Sequence, residues 1–222
     1  MDADLKKHVI KTGTTTIGII CKDGVVVAAD KRGSYGGESG VSYIAGTNQE
    51  KIQTVLPNVI VTTAGTASDT RKTIKLVRAE LKLKELKSKK KAKISEIANL
   101  FSNISYQSIR QPSMIPSIAH FVLAGYDPKG FYLYDISPDG FLQASEDYTA
   151  SGSGMVNANP ILDSDYKKDL TLEQGIALAK KCLKASFGRD PASGDGMDIY
   201  TVTKDEIKQV TKTKVVAEFK ER

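Results

Sequence analysis

Residues 13–20 read Gly-Thr-Thr-Thr-Ile-Gly-Ile-Ile. The apolar, β-branched run at 17–20 marks a buried strand, and the threonines directly ahead of it mark its start. A threonine that follows a glycine at such a place can be released by scission of the bond between Gly13 and Thr14. Its hydroxyl would then lie beside its own α-amino group, so that one residue holds both nucleophile and base. A peptide α-amino group titrates at roughly 7.7 to 8.0, so near neutral pH a useful fraction is unprotonated and able to take the hydroxyl proton. Taken alone, a threonine-rich strand start needs no more than the β-propensity of threonine. The rest of the chain has to separate the two readings.

Composition narrows the class. The chain has 222 residues, 40% of them hydrophobic and 26% charged, which fits one large globular domain better than two. No Pro/Gly/Ser-rich linker divides it, and no apolar run approaches the roughly 18 residues of a membrane span. Residues 1–11 are charged and lack the apolar centre of a secretory signal, so a cytoplasmic, intracellular protein is expected. Cys21 and Cys182 lie far apart in apolar segments without metal-type spacing; buried free thiols are expected, and no metal site or cofactor. Much of the +6 net charge sits in residues 82–93, KLKELKSKKKAK. That segment has no interleaved aromatic residues, so it reads as a solvated helix end and loop rather than a nucleic-acid surface.

Along the chain, residues 14–21 and 25–29 form a hairpin across Lys22, Asp23 and Gly24, Asp-Gly between such runs being a hairpin signal. Residues 34–46, rich in Gly and Ser, read as an irregular loop, and residues 51–55 and 59–63 as a second strand pair. Helical periodicity follows at 68–87, with Ile74, Val77, Leu81 and Leu83 inward and Ser68 or Asp69 as cap. It returns at 95–108, with Ile97, Leu100, Phe101 and Ile104 inward and Ser95 as cap, making an antiparallel helix pair. Residues 118–124, 131–136 and 141–144 form a meander turned at 127–130 and 137–140. Residues 155–162 and 172–187 are helical, the latter opened by the capping box Thr171-Leu172-Glu173-Gln174. Strands at 199–203 and 207–210 finish the chain. Segregated runs of this kind predict an α+β fold, a four-layer αββα sandwich of two antiparallel sheets between helix pairs.

A series of strings in order carries a resemblance: GTTTIGI at 13–19, AADKRGS at 28–34, TAGTASD at 63–69, AGYDPKG at 124–130, SGSG at 151–154 and FGRDPASGDG at 187–196. From residue 13 to about 210 the chain resembles the β-subunits of the proteasome core particle, of the archaeal type, among the N-terminal-nucleophile hydrolases. The resemblance implies a propeptide, residues 1–13, removed by autocleavage between Gly13 and Thr14, and a single hydrolase domain, residues 14–222. It makes Thr14 the nucleophile of a threonine-type endopeptidase and Asp30 the carboxylate that orients it. Lys51 is the cationic partner, Gly65 the backbone N–H for the oxyanion, and Ser153, Asp190 and Ser193 the groups around the threonine amine and hydroxyl. A nearby ammonium would favour ionised Asp30 and ease removal of the hydroxyl proton, and Gly65, without a side chain, would let the substrate backbone approach closely.

The resemblance departs from the family pattern at one place. Lys51 lies farther beyond Asp30 than the family lysine does from its carboxylate, and it follows Glu50, an alternative ion-pair partner. An insertion within residues 35–42 accounts for the gap, because the same offset brings residues 43–45 and Gly65 into register; Lys51 is therefore preferred over Lys31. His8, in the propeptide, and His120, at a strand start, are read as bystanders. Gly33, Gln49, Gln53, Thr63 and Ala67 would line the specificity pocket, several of them more polar than the apolar residues common there, which predicts weaker cleavage after large apolar residues. The resemblance further implies a seven-membered ring with other β-subunits, α-subunit rings outside the β-rings, and unfolded polypeptide substrates delivered by an ATP-dependent regulator. Neither nucleic acid nor membrane is an expected partner. An unprocessed, structural β-subunit of the same assembly is the alternative reading, supported by the insertion and Glu50 and opposed by the intact Gly13, Thr14, Asp30, Asp190 and Ser193.

Overall fold

The computed structural model describes residues 13–36, 42–113 and 116–216. Its strands are β1 (Thr16–Cys21), β2 (Gly24–Asp30), β3 (Gly33–Gly36), β4 (Ser42–Gly46), β5 (Ile52–Leu56), β6 (Val59–Gly65), β7 (Ala119–Asp127), β8 (Gly130–Ile136), β9 (Leu142–Ser145), β10 (Tyr148–Ser151), β11 (Met197–Val202) and β12 (Ile207–Lys212). The helices, numbered in chain order, are α1 (Ala67–Ser88), α2 (Ile94–Ile109), α3 (Met155–Asp165) and α4 (Leu172–Phe187). One sheet runs β10-β1-β2-β11-β12 and the other β5-β6-β7-β8-β9, while β3 and β4 form a separate ribbon.

The apolar pattern of β2 explains how the layers stack. All seven of its residues are buried, which only a strand covered on both faces can satisfy. Val25, Val27 and Ala29 point to the second sheet and pack with Ile60, Val122, Ala124 and Leu133. Val26 and Ala28 point the other way, joining Ile17 and Ile19 of β1 against Leu178, Cys182 and Leu183 of α4. A third cluster, with Ile74, Val77, Ile97 and Phe101, closes α1 and α2 over β6 and β7. Each fully buried Leu, Ile or Phe in these layers stabilises by about 1.5–3 kcal/mol. Gly18 keeps the sheets close: a Cβ there would lie 2.5 Å from a methyl of Leu133. The predicted α+β four-layer sandwich is what the chain forms.

Local readings fare unevenly. The capping box of α4 is present, with the Gln174 amide donating to Thr171 Oγ1 at 3.3 Å and the Thr171 amide donating to Gln174 Oε1 at 2.9 Å. Residues 34–46 are not one irregular loop: β3 and β4 pair across them, with Tyr35 stacked on Tyr43 at 5.9 Å between centroids. Cross-strand aromatic pairing stabilises a ribbon that Gly and Ser disguise. Residues 37–41, in the span of the expected insertion, lie outside the described residues. The β1–β2 turn is Lys22-Asp23, because Gly24 already pairs with Cys21. The cap of α1 is Thr66, not Ser68 or Asp69; the Asp69 carboxylate instead accepts the Ile118 amide at 3.2 Å. Likewise Lys93, not Ser95, precedes α2, and its amide donates to Glu96 at 2.8 Å. Leu83 is exposed rather than inward, and strand β10 has no counterpart in the sequence reading.

Cys21 and Cys182 are buried and free, as expected. Burial, reinforced by a nearby carboxylate in each case, pushes the thiols up to about 11 and about 12. A raised pKa keeps the protonated thiol, whereas alkylation needs the thiolate. Iodoacetamide at pH 8 is therefore expected to label neither cysteine in the folded protein and both in urea, as read by intact mass; labelling of the folded chain would contradict this burial.

Candidate active site

Strands β1 and β2 are neighbours in one sheet, with Thr16 opposite Ala29, so the residues just before β1 meet the end of β2. Thr14 thereby comes beside Asp30. Both are buried, and they are bridged by Lys51 from the segment leading into β5. Lys51 Nζ lies 2.7 Å from Asp30 Oδ1, 3.0 Å from Thr14 Oγ1 and 3.4 Å from the Gly13 carbonyl oxygen. The Thr14 hydroxyl donates to that same carbonyl at 2.6 Å.

Asp30 is held at both oxygens. Oδ1 accepts the Thr15 amide at 3.0 Å as well as Lys51, and Oδ2 accepts the amides of Arg32 and Gly194, each at 3.0 Å. With the carboxylate fixed, the ammonium has one place to sit. Burial lowers the pKa of Lys51 and the Asp30 carboxylate opposes that fall. The balance gives an amine more acidic than a surface lysine, in contact with the Thr14 hydroxyl.

On the other side of Thr14 its amide donates to Ser153 Oγ at 3.1 Å. Ser153 in turn donates to Asp190 Oδ2 at 2.6 Å, and Ser193 donates to the same oxygen at 2.7 Å. Ser193 Oγ also lies 2.8 Å from Thr15 Oγ1. The predicted residues Thr14, Asp30, Lys51, Ser153, Asp190 and Ser193 thus form one connected network. Lys31 does not join it; its Nζ is 3.3 Å from Asp198. Glu50 is exposed, and the ion pair of Lys51 is with Asp30. His120 pairs with Asp135 at 2.6 Å, and His8 lies outside the described residues.

A cleft of about 270 Å³ opens in front of Thr14, and Gly65 lines it. Gly65 has φ +98°, and a Cβ there would lie 2.4 Å from the Ile118 carbonyl oxygen, so the position admits only glycine. Gly33, Gln49, Gln53, Thr63 and Ala67 line the same cleft. Some residues of the site have no signal in the sequence. The Ser34 hydroxyl accepts the Gly13 amide at 3.0 Å. Arg32 clamps the loop after Asp190: its guanidinium takes both oxygens of Asp195, at 2.8 and 3.1 Å, and the Pro191 carbonyl at 2.8 Å. The strings AADKRGS and FGRDPASGDG contain these residues, but nothing in either string says that they pair.

A four-layer sandwich with a buried threonine, lysine and aspartate at one end of its central strands defines a class of protein rather than one member. Similarity to known sequences supplies the family. A model described as "Proteasome: Proteasome subunit" matches residues 10–202. The chain is 35% identical over 203 residues to a "Proteasome subunit beta" of Archaeoglobus profundus, covering 91% of this chain and 90% of the relative. It is 37% identical over 190 residues to "Proteasome subunit beta 2" of Thermofilum pendens, covering 86% and 88%. With "Proteasome subunit beta 2" of Pyrococcus abyssi the figures are 34% over 205 residues, 92% and 94%. The chain belongs to the proteasome subunit family, and its relatives there are β-subunits.

Proposed function

We propose that this chain is a proteolytic β-subunit, released as a threonine-type endopeptidase by cleavage between Gly13 and Thr14. The observation that carries the reading is the contact of Lys51 Nζ with both Thr14 Oγ1 and Asp30 Oδ1. In the first reaction Thr14 Oγ attacks the Gly13 carbonyl carbon, against whose oxygen it lies. The C–N bond breaks, the nitrogen takes the proton, and an ester joins Gly13 to Thr14 Oγ. Water hydrolyses that ester, releasing residues 1–13 and leaving Thr14 with a free amine; residues 14–222 remain as one domain. In each later turnover the same oxygen attacks a substrate carbonyl while Gly65 N–H faces the oxyanion. The leaving amine takes a proton, and water releases the acyl group.

The proposed setting is cytoplasmic, in the core particle: β-subunits in seven-membered rings, flanked by α-subunit rings and fed unfolded polypeptide by an ATP-dependent regulator. A nucleophile open to solvent would be hazardous, and cleavage coupled to assembly delays its release. The test is the N-terminus of the purified, assembled particle. Intact mass and N-terminal sequencing are expected to begin at Thr14, with activity appearing as that species appears; a fully active particle whose chains all retain Met1 would refute the reading.

A further inference from the structure

We propose that Arg71 makes the cleft selective for an acidic residue on the acyl side of the scissile bond. This deepens the proposed function and rests on Thr14 being the nucleophile. Three cations line the cleft: Arg32, Lys51 and Arg71. Two of them are engaged, Lys51 by Asp30 at 2.7 Å and Arg32 by Asp195 at 2.8 Å. Arg71, exposed on the first turns of α1, makes no ion pair among the described residues.

The walls combine apolar surface, to which Tyr35, Ala45 and Ala67 belong, with polar groups that a carboxylate can use. Gln49 and Gln53 present amides, whereas the Thr63 hydroxyl already donates to the Lys51 carbonyl at 3.2 Å. The NH₂ groups of Gln49 and Gln53 can donate to a carboxylate that Arg71 attracts. The surrounding charge points the same way. Lys75 and Arg78 follow Arg71 at helical spacing and line the adjoining groove with Gln53, so the field at the cleft wall is positive. Glu50 is the one carboxylate lining the cleft; it is exposed and forms no ion pair with Arg71 among the described residues. Removing its charge should sharpen the preference rather than create it.

The test uses the assembled, processed particle and peptides that differ only in having Glu, Leu or Lys before the scissile amide. The wild type is expected to give the highest kcat/KM with Glu, and that advantage should shrink as salt rises. In Arg71→Gln the Glu-to-Leu ratio is expected to fall roughly tenfold, the size of one partly desolvated guanidinium–carboxylate contact, mainly through KM. Arg71→Glu should move the preference to Lys, and Glu50→Gln should raise the Glu-to-Leu ratio. A wild type that prefers Leu, or Arg71 variants that lower all three substrates equally, would overturn the assignment while leaving the nucleophile reading intact. Hydrolysis of the Glu peptide that persists in Thr14→Ala would instead overturn the nucleophile reading, and this proposal with it.

Discussion

Replacing Thr14 with alanine is expected to abolish both of the proposed reactions, the cleavage after Gly13 and the hydrolysis of peptides. The variant chain should keep Met1, and the assembled particle should lose at least about 10³-fold in kcat, as expected when the attacking atom of a covalent mechanism is deleted. The fold should survive the change. The lost hydroxyl donates to Gly13 and accepts from Lys51, but Lys51 keeps its ion pair with Asp30. Removing one such exchangeable hydrogen bond costs about 1 kcal/mol. Thr14→Ser retains an oxygen at the same place and should retain processing. Size-exclusion chromatography, intact mass and peptide hydrolysis together read the outcome. A Thr14→Ala particle that still cleaves peptides would end the nucleophile reading. Should that particle fail to assemble, the comparison is repeated on chains expressed without residues 1–13, with and without the Thr14→Ala change.

The second large effect is expected at Asp30→Asn, where shape is nearly conserved and charge is not. The carboxylate accepts the Thr15 amide and Lys51 at one oxygen and the amides of Arg32 and Gly194 at the other. An asparagine offers one acceptor oxygen; its NH₂ turns a donor toward two existing donors, either toward two backbone amides or toward Thr15 and Lys51. The buried ammonium also loses its counter-charge, and breaking a buried pair at one end costs about 3–5 kcal/mol. With the Asp30 carboxylate gone, desolvation and the Arg32 charge are opposed only by Asp190, and the Lys51 pKa falls further. The charged form of Lys51 is thereby disfavoured beside Thr14. Peptide hydrolysis is expected to fall by about 10²-fold or more, with thermal unfolding several degrees lower. Asp30→Asn with normal kcat would show that Lys51 does not need its partner.

Much of this site is legible before any coordinates. Thr14 and Asp30 end up together because the strands that follow and precede them pair as a hairpin, and both runs are plain in the sequence. Lys51 is harder, since an altered loop length displaces it, yet a consistent offset places it. Arg32 and Asp195 escape, because 163 residues separate them and neither string announces a pairing. Strand β10 escapes for a different reason: four residues with three hydroxyls at an edge show little alternation, and pairing with β1 rather than propensity holds them. The expected caps of α1 and α2 fail because the backbone turns into each helix before the best capping side chain. Arg71 looks like any solvent-facing helix residue until the cleft beside it is outlined.

The glycines around Thr14 set the site's room for change. A Cβ at Gly13 would lie 1.9 Å from the Ala192 Cβ, at Gly152 2.1 Å from the Thr14 carbonyl oxygen, and at Gly154 1.8 Å from Thr15 Oγ1. The reactive end is thus a mould formed by missing side chains, and it tolerates no novelty. Opposite it, Gln53 and Arg71 line the cleft with long side chains, which can be exchanged without disturbing the backbone. Under the proposed function, diversification of the substrates cut can therefore proceed on one bank of the cleft while the other stays frozen.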